Sequence, residues 1–212
     1  MMKDIEHLVT ELADDTAPVK AAPHPYWLTS KWIAVATVYL VASLAIAGLR
    51  PDLEQAFRQP WFTAEIITLV LIVVATSLSA ALLAFPDLHQ KRGLALVPLW
   101  AFVLFVLVLS FAWHADSPPS PLPEHSYQCT ACIILLALLP AAWTLYAMRK
   151  VASTHFGWAG TITVLSAFSI GALWLRLHEV NDSILHVIEW HYLPMFAFGI
   201  LGLWLGRSLL RW

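Results

Sequence analysis

Two stretches of the chain gather side chains that can ligate a metal, move a proton or change redox state. The first is Cys129-Thr130-Ala131-Cys132. At i and i+3, both sulfurs can share one face of a helix start. A thiol with a lowered pKa at such a position would be reactive. The plainer reading is two small apolar residues packing at a helix end. The second stretch runs from His178 to His191 and carries His178, Glu179, Asp182, His186, Glu189 and His191. Read as one helix, Glu179, Asp182, His186 and Glu189 fall at i, i+3, i+7 and i+10 and make a polar stripe. With Cys129, Cys132, His114 and His125 expected at the same end, such donors suit a soft or borderline metal or a pH-sensitive cluster. A wetted interfacial helix face would use the same residues. The spacing matches no metalloprotease signature. His191, five residues after His186, falls on the wrong face of a regular helix for joint ligation.

A third group is Glu65 and Arg176, each near the end of an apolar run. Ionisable residues there are functional candidates by default. Both are close enough to an interface to snorkel, and a structural pairing is the other reading. Charged groups near a bilayer midplane, which transport ordinarily needs, are not apparent.

The elements that position these residues read as membrane helices. Of 212 residues, 59 % are hydrophobic and 12 % charged, against about 25 % charged in soluble domains. Many of the 11 Trp sit at the ends of apolar runs, as in an interfacial belt. Six spans are expected at about 31–49, 61–85, 93–113, 129–148, 157–177 and 191–210, each near the roughly 20 residues a bilayer core requires. Pro98, Pro140 and Pro194 fall inside spans, where they kink helices. The fold class is therefore an all-α, six-transmembrane-helix bundle, residues 27–212, behind a short N-terminal amphipathic helix in residues 1–26. Lys20, Lys31, Lys91, Arg92, Arg149, Lys150, Arg207 and Arg211 flank one side, against Arg50, Arg58 and Arg176 on the other. The positive-inside rule puts both termini in the cytoplasm. No basic patch suggests direct nucleic-acid binding. The acidic, amphipathic N-terminus is not a signal peptide, and two cysteines are too few for a disulfide framework.

The N-terminal segment is the one sizeable cytoplasmic piece. Ile5, Leu8, Val9 and Leu12 fall at i, i+3, i+4 and i+7, an apolar helical stripe among charged neighbours. Ala17-Pro18-Val19 ends it. Such a helix is marginal alone in water and needs a membrane surface or a partner's groove to cover its stripe.

Taken together, these segments resemble the NrsF-like family of bacterial membrane anti-sigma factors over nearly the whole chain. Leu8-Val9-Thr10-Glu11-Leu12-Ala13-Asp14-Asp15-Thr16-Ala17-Pro18-Val19 is similar to that family's Leu-Ile-x-x-Leu-Ala-x-Asp-x-x-Pro-Val segment. Gly48-Leu49-Arg50-Pro51-Asp52-Leu53 resembles its first outer loop. Cys129 opens the fourth span as a family cysteine does, and Leu177-His178 resembles its Leu-His-Cys stretch, with Glu179 in place of the second cysteine. The chain ends Leu210-Arg211-Trp212, as members do. Cys132 is the substitute partner for a thiol switch, but cysteines one turn apart fit a disulfide poorly without unwinding.

The resemblance implies an inner-membrane protein whose cytoplasmic N-terminus sequesters an extracytoplasmic-function sigma factor and is not an enzyme. On that footing Ile5, Leu8, Val9, Leu12, Asp14, Asp15, Pro18 and Val19 are the partner-binding residues. Cys129, Cys132, His178, Glu179, His186, Glu189 and His191 are the candidate sensing residues. No cofactor is expected; a metal ion at the outer His/Cys cluster is the alternative. Rival readings are an intramembrane metal- or thiol-dependent enzyme and a small-solute transporter.

Overall fold

The computed structural model describes residues 2–14, 23–86, 92–115, 126–151 and 153–211. Asp15, Pro18, Val19, His125 and the Pro-rich stretch 116–123 lie outside them, as does the side chain of Asp14. The described elements are all helical. In order they are α1 (Met2–Asp14), α2 (Pro25–Ala47), α3 (Leu53–Arg58), α4 (Pro60–Leu83), α5 (Arg92–Ala95), α6 (Val97–Ala115), α7 (Tyr127–Arg149), α8 (Phe156–His178), α9 (Ile184–His186), a π-helical turn Val187–Tyr192, and α10 (Leu193–Leu209). Six helices are long and apolar enough to cross a membrane: α2, α4, α5–α6, α7, α8 and the compound helix α9–π–α10.

Local chemistry sets the helix ends. Pro25 opens α2 at a position whose N–H would be unpaired anyway. The His24 ring accepts from the Tyr26 N–H at 3.3 Å. The helix thus starts before the expected Lys31, and it stops at Gly48, whose φ of 91° suits a residue without a Cβ. Pro60 opens α4 in the same way.

The axis of the bundle is α8. It is buried along nearly its whole length and packs on α10, α7 and α4. Small residues let the backbones meet. A Cβ added to Gly202 would lie 2.7 Å from the Thr161 Cα and 2.8 Å from the Gly160 carbonyl oxygen. Two buried hydroxyls of α8 are satisfied along their own helix. Thr163 and Ser169 donate to the carbonyls of Ala159 and Leu165 at 2.8 and 2.7 Å.

Two in-span prolines are compensated alike. Proline lacks an N–H and crowds the carbonyl four residues back. For Pro140 that carbonyl is Leu136, which accepts the Tyr39 hydroxyl of α2 at 3.0 Å. For Pro194 it is Trp190, which accepts the Thr130 hydroxyl of α7 at 2.6 Å. Next to Pro194 the chain widens into the π turn rather than simply kinking.

Helix α1 presents Ile5, Leu8, Val9 and Leu12 to the outside, each more than half exposed. Its stripe is uncovered by the described residues.

Candidate functional site

The loops joining α2 to α3, and α8 to α9, meet the start of α7 at one end of the bundle. Two polar assemblies form there. The segment 179–183 is not helical, so the single polar stripe expected from Glu179 to Glu189 does not exist. Its members go separate ways. Glu179 turns toward α7, Asp182 turns toward two arginines, His186 is buried, and Glu189 is exposed.

The first assembly is Cys129, Glu179, His186 and His191, whose ligand atoms all lie within 4.8 Å of one another. The Cys129 Sγ is 3.6 Å from each Glu179 carboxylate oxygen and 3.7 Å from His186 Nε2. His186 Nε2 is 3.3 Å from one carboxylate oxygen, and His191 Nε2 is 3.1 Å from the other. The two imidazoles meet edge to face at 5.2 Å. A regular helix would put positions i and i+5 on different faces. The π turn, with its i to i+5 repeat, brings His191 beneath His186. This overturns the expectation that the two could not share a ligand.

Both imidazoles are buried, His186 at 1 % and His191 at 0 % exposure. Despite its short distance to Glu179, His191 Nε2 has no aligned hydrogen bond, and the Nδ1 atoms of both rings have no partner among the described residues. Burial pushes the Glu179 carboxyl up, but the neighbouring imidazoles, His191 first, outweigh that and hold it below the usual carboxylate range.

Three of the expected sensing residues stand apart. Cys132 is half-buried on α7 without joining the cluster. The His178 ring stacks on Trp174 at 4.7 Å, with its Nδ1 2.8 Å from the Gly48 carbonyl oxygen. Glu189 is exposed on the π turn.

The second assembly is an ion network that the sequence only hinted at. Glu65 and Arg176 do not snorkel. They are 5 % and 2 % exposed and pair through two hydrogen bonds of 2.8 and 3.0 Å. Tyr192, the residue after His191, donates its hydroxyl to the same Glu65 carboxylate. Asp182 joins Arg176 at 3.1 Å to Arg50, whose Nη2 is 2.7 Å away. Arg50 also holds Asp52 at 2.8 Å. The Phe62 ring faces both guanidiniums, its centroid 5.2 Å from that of Arg50 and 4.9 Å from that of Arg176. Hydrogen bonds to Asp182 and then Asp52 raise the Arg50 pKa, so its charge is permanent. The Arg50 hydrogen bond in turn holds the Asp52 carboxyl below its usual range.

Comparison with known proteins bears on what these assemblies serve. A family model described as NrsF, negative regulator of sigma F, matches residues 12–212. The chain belongs to the NrsF family. Among the family's curated members, the anti-sigma-F factor NrsF of Caulobacter vibrioides is 29 % identical over 215 residues, covering 98 % of this chain and 97 % of the relative. A probable anti-sigma-F factor NrsF of Azospira oryzae is 29 % identical over 220 residues, covering 98 % of this chain and 99 % of that one. No solved structure matches the chain.

Proposed function

We propose that this protein is a membrane-bound anti-sigma factor of the bacterial inner membrane. Its cytoplasmic N-terminus holds a sigma factor of the extracytoplasmic-function class, and it releases that factor when the opposite end of the bundle receives a signal. Membership of the NrsF family supports the anti-sigma role. The observation that carries the choice of output element is the uncovered stripe of α1, with Ile5, Leu8, Val9 and Leu12 all exposed. Burying each such side chain in a partner's groove contributes about 1.5–3 kcal/mol. Asp14 and Asp15 meet the partner's basic surface.

The receiving end is the Cys129 cluster and the ion network next to it. His191 and Tyr192 are adjacent on the π turn, so a change at the cluster reaches Glu65 and Arg176 through Tyr192. A signal acts only by binding two packings of this end differently. The rival enzyme reading needs a metal with an open position for water or substrate. Four protein donors within 4.8 Å of one another would fill a tetrahedral ion's positions, which favours holding over turnover.

The test is co-purification of the co-expressed sigma factor with full-length protein, tagged at its C-terminus. Leu8→Asp with Leu12→Asp is expected to abolish capture and raise transcription from the sigma factor's promoters, while membrane levels stay unchanged. Undiminished capture by that double variant sinks the reading.

A further inference from the structure

We propose that Cys129 Sγ, a Glu179 carboxylate oxygen, His186 Nε2 and His191 Nε2 form a tetrahedral site for a borderline divalent cation of the zinc class. The argument begins with distances. A zinc centre with Zn–S of about 2.3 Å and Zn–N or Zn–O of about 2.0–2.1 Å has tetrahedral edges of roughly 3.6 Å from sulfur and roughly 3.3 Å between the lighter donors. In the structure Cys129 Sγ lies 3.6 Å from either Glu179 oxygen and 3.7 Å from His186 Nε2, His186 Nε2 lies 3.3 Å from one of those oxygens and His191 Nε2 3.1 Å from the other, and one ligand atom from each of the four residues lies within 4.8 Å of the rest.

Direction is the second observation. His191 Nε2 is 3.1 Å from a carboxylate oxygen, yet the pair is not aligned as a hydrogen bond. The two atoms are thus close without being paired to each other, as two ligands of one ion are. A fully buried imidazole nitrogen left without a hydrogen bond costs free energy, and a cation in the middle removes that cost.

Charge and donor type select the ion. A thiolate, a carboxylate and two neutral imidazoles carry two negative charges, which a dication cancels, leaving a neutral site in a poorly solvated place. Calcium and magnesium take oxygen donors, so sulfur and two nitrogens exclude them. Copper(II) prefers tetragonal geometry, and copper(I) prefers thiolates and thioethers. A tetrahedral S, N, N, O set fits zinc. The π turn is the device that makes the site, because it alone brings His191 under His186, and π turns recur at functional positions. The site stands or falls independently of the sigma-factor reading.

The experiment uses full-length protein in detergent, stripped with chelator and titrated with Zn2+ against a chromophoric competitor and, separately, with Co2+ by absorption. The expected result is one ion per chain. Cobalt should give the intense visible bands of a four-coordinate centre and a thiolate-to-cobalt charge-transfer band. Cys129→Ser removes the charge-transfer band. His191→Ala weakens zinc by at least roughly tenfold, the scale on which even the outer partners of metal sites act. Cys132→Ser, one turn along α7, leaves affinity and spectrum unchanged. Glu179→Cys guards against loss by misfolding: it keeps four donors, and a second thiolate intensifies the charge-transfer band. A sub-stoichiometric ion, a weak six-coordinate cobalt spectrum, or a spectrum indifferent to Cys129→Ser overturns the proposal.

Discussion

Replacing Glu65 with Leu would strand Arg176 in the packed end of the bundle. In the native protein, Glu65 takes two guanidinium hydrogen bonds and the Tyr192 hydroxyl. Removing one partner of a buried ion pair costs about 3–5 kcal/mol. Asp182 remains 3.1 Å from Arg176, and the Phe62 ring remains beneath it, which places the effect near the lower bound. The orphaned Tyr192 hydroxyl adds about 1 kcal/mol or more. The expected loss for Glu65→Leu is therefore about 4 kcal/mol. The double variant with Arg176→Met removes the stranded charge, and replacing both charges with apolar groups of similar volume is often close to neutral. It should lose only about 1–2 kcal/mol, most of it from Tyr192, and a third change, Tyr192→Phe, should recover part of that. The assay is equilibrium unfolding in mixed micelles of mild detergent and dodecyl sulfate, followed by helicity. The exposed Arg58–Glu54 pair, at 2.7 Å, is the control and should be worth less than about 1 kcal/mol. If the double variant is less stable than either single variant, the pair is not acting as a buried charge pair and the reasoning fails.

Three further outcomes are expected. Gly202→Ala should destabilise the bundle by about 1–3 kcal/mol through overpacking, since its Cβ would lie 2.7 Å from the Thr161 Cα; Gly93→Ala, with nothing within 4 Å, should be neutral in the same unfolding assay. Thr130→Val should cost about 1 kcal/mol by removing the hydroxyl that donates to the Trp190 carbonyl, and it should also weaken the proposed zinc binding by loosening the π turn. Asp52 is held below its usual range by Arg50, so its contribution is complete above an unfolded carboxylate value of about 3.9 and disappears as pH falls through the lower folded value. Thermal stability of Asp52→Asn and parent should therefore differ at neutral pH and converge in strong acid.

Much of the fold was legible because bilayer thickness imposes a length and composition on each span. The α1 stripe was legible because Ile5, Leu8, Val9 and Leu12 repeat at helical spacing over about two turns of sequence. The site was half legible. Cys129, Glu179, His186 and His191 were all singled out, but a 3.6-residue period grouped Glu179 and His186 with Asp182 and Glu189 and set His191 aside. That period fails twice, at the extended segment 179–183 and at the π turn. Pro194 was the local signal for the second failure, read there only as a kink. The Arg176–Glu65 pair spans 111 residues, and no local pattern announces a contact of that range. Arg50 and Asp182 became neighbours for the same tertiary reason.

The π turn also fixes something at a distance. Each residue of an α-helix advances the chain by about 100° around the axis. Downstream of the turn, Gly199, Gly202 and Gly206 must face α8 for the two backbones to meet. The extra residue that carries His191 under His186 therefore also sets the angular phase of the glycine seam. Deleting a single residue between 187 and 192 would regularise the helix and rotate either the histidine or the glycines out of place. Substitutions can drift through this stretch one at a time, but its length is locked from both ends, and related chains that keep both features should align across it without a gap.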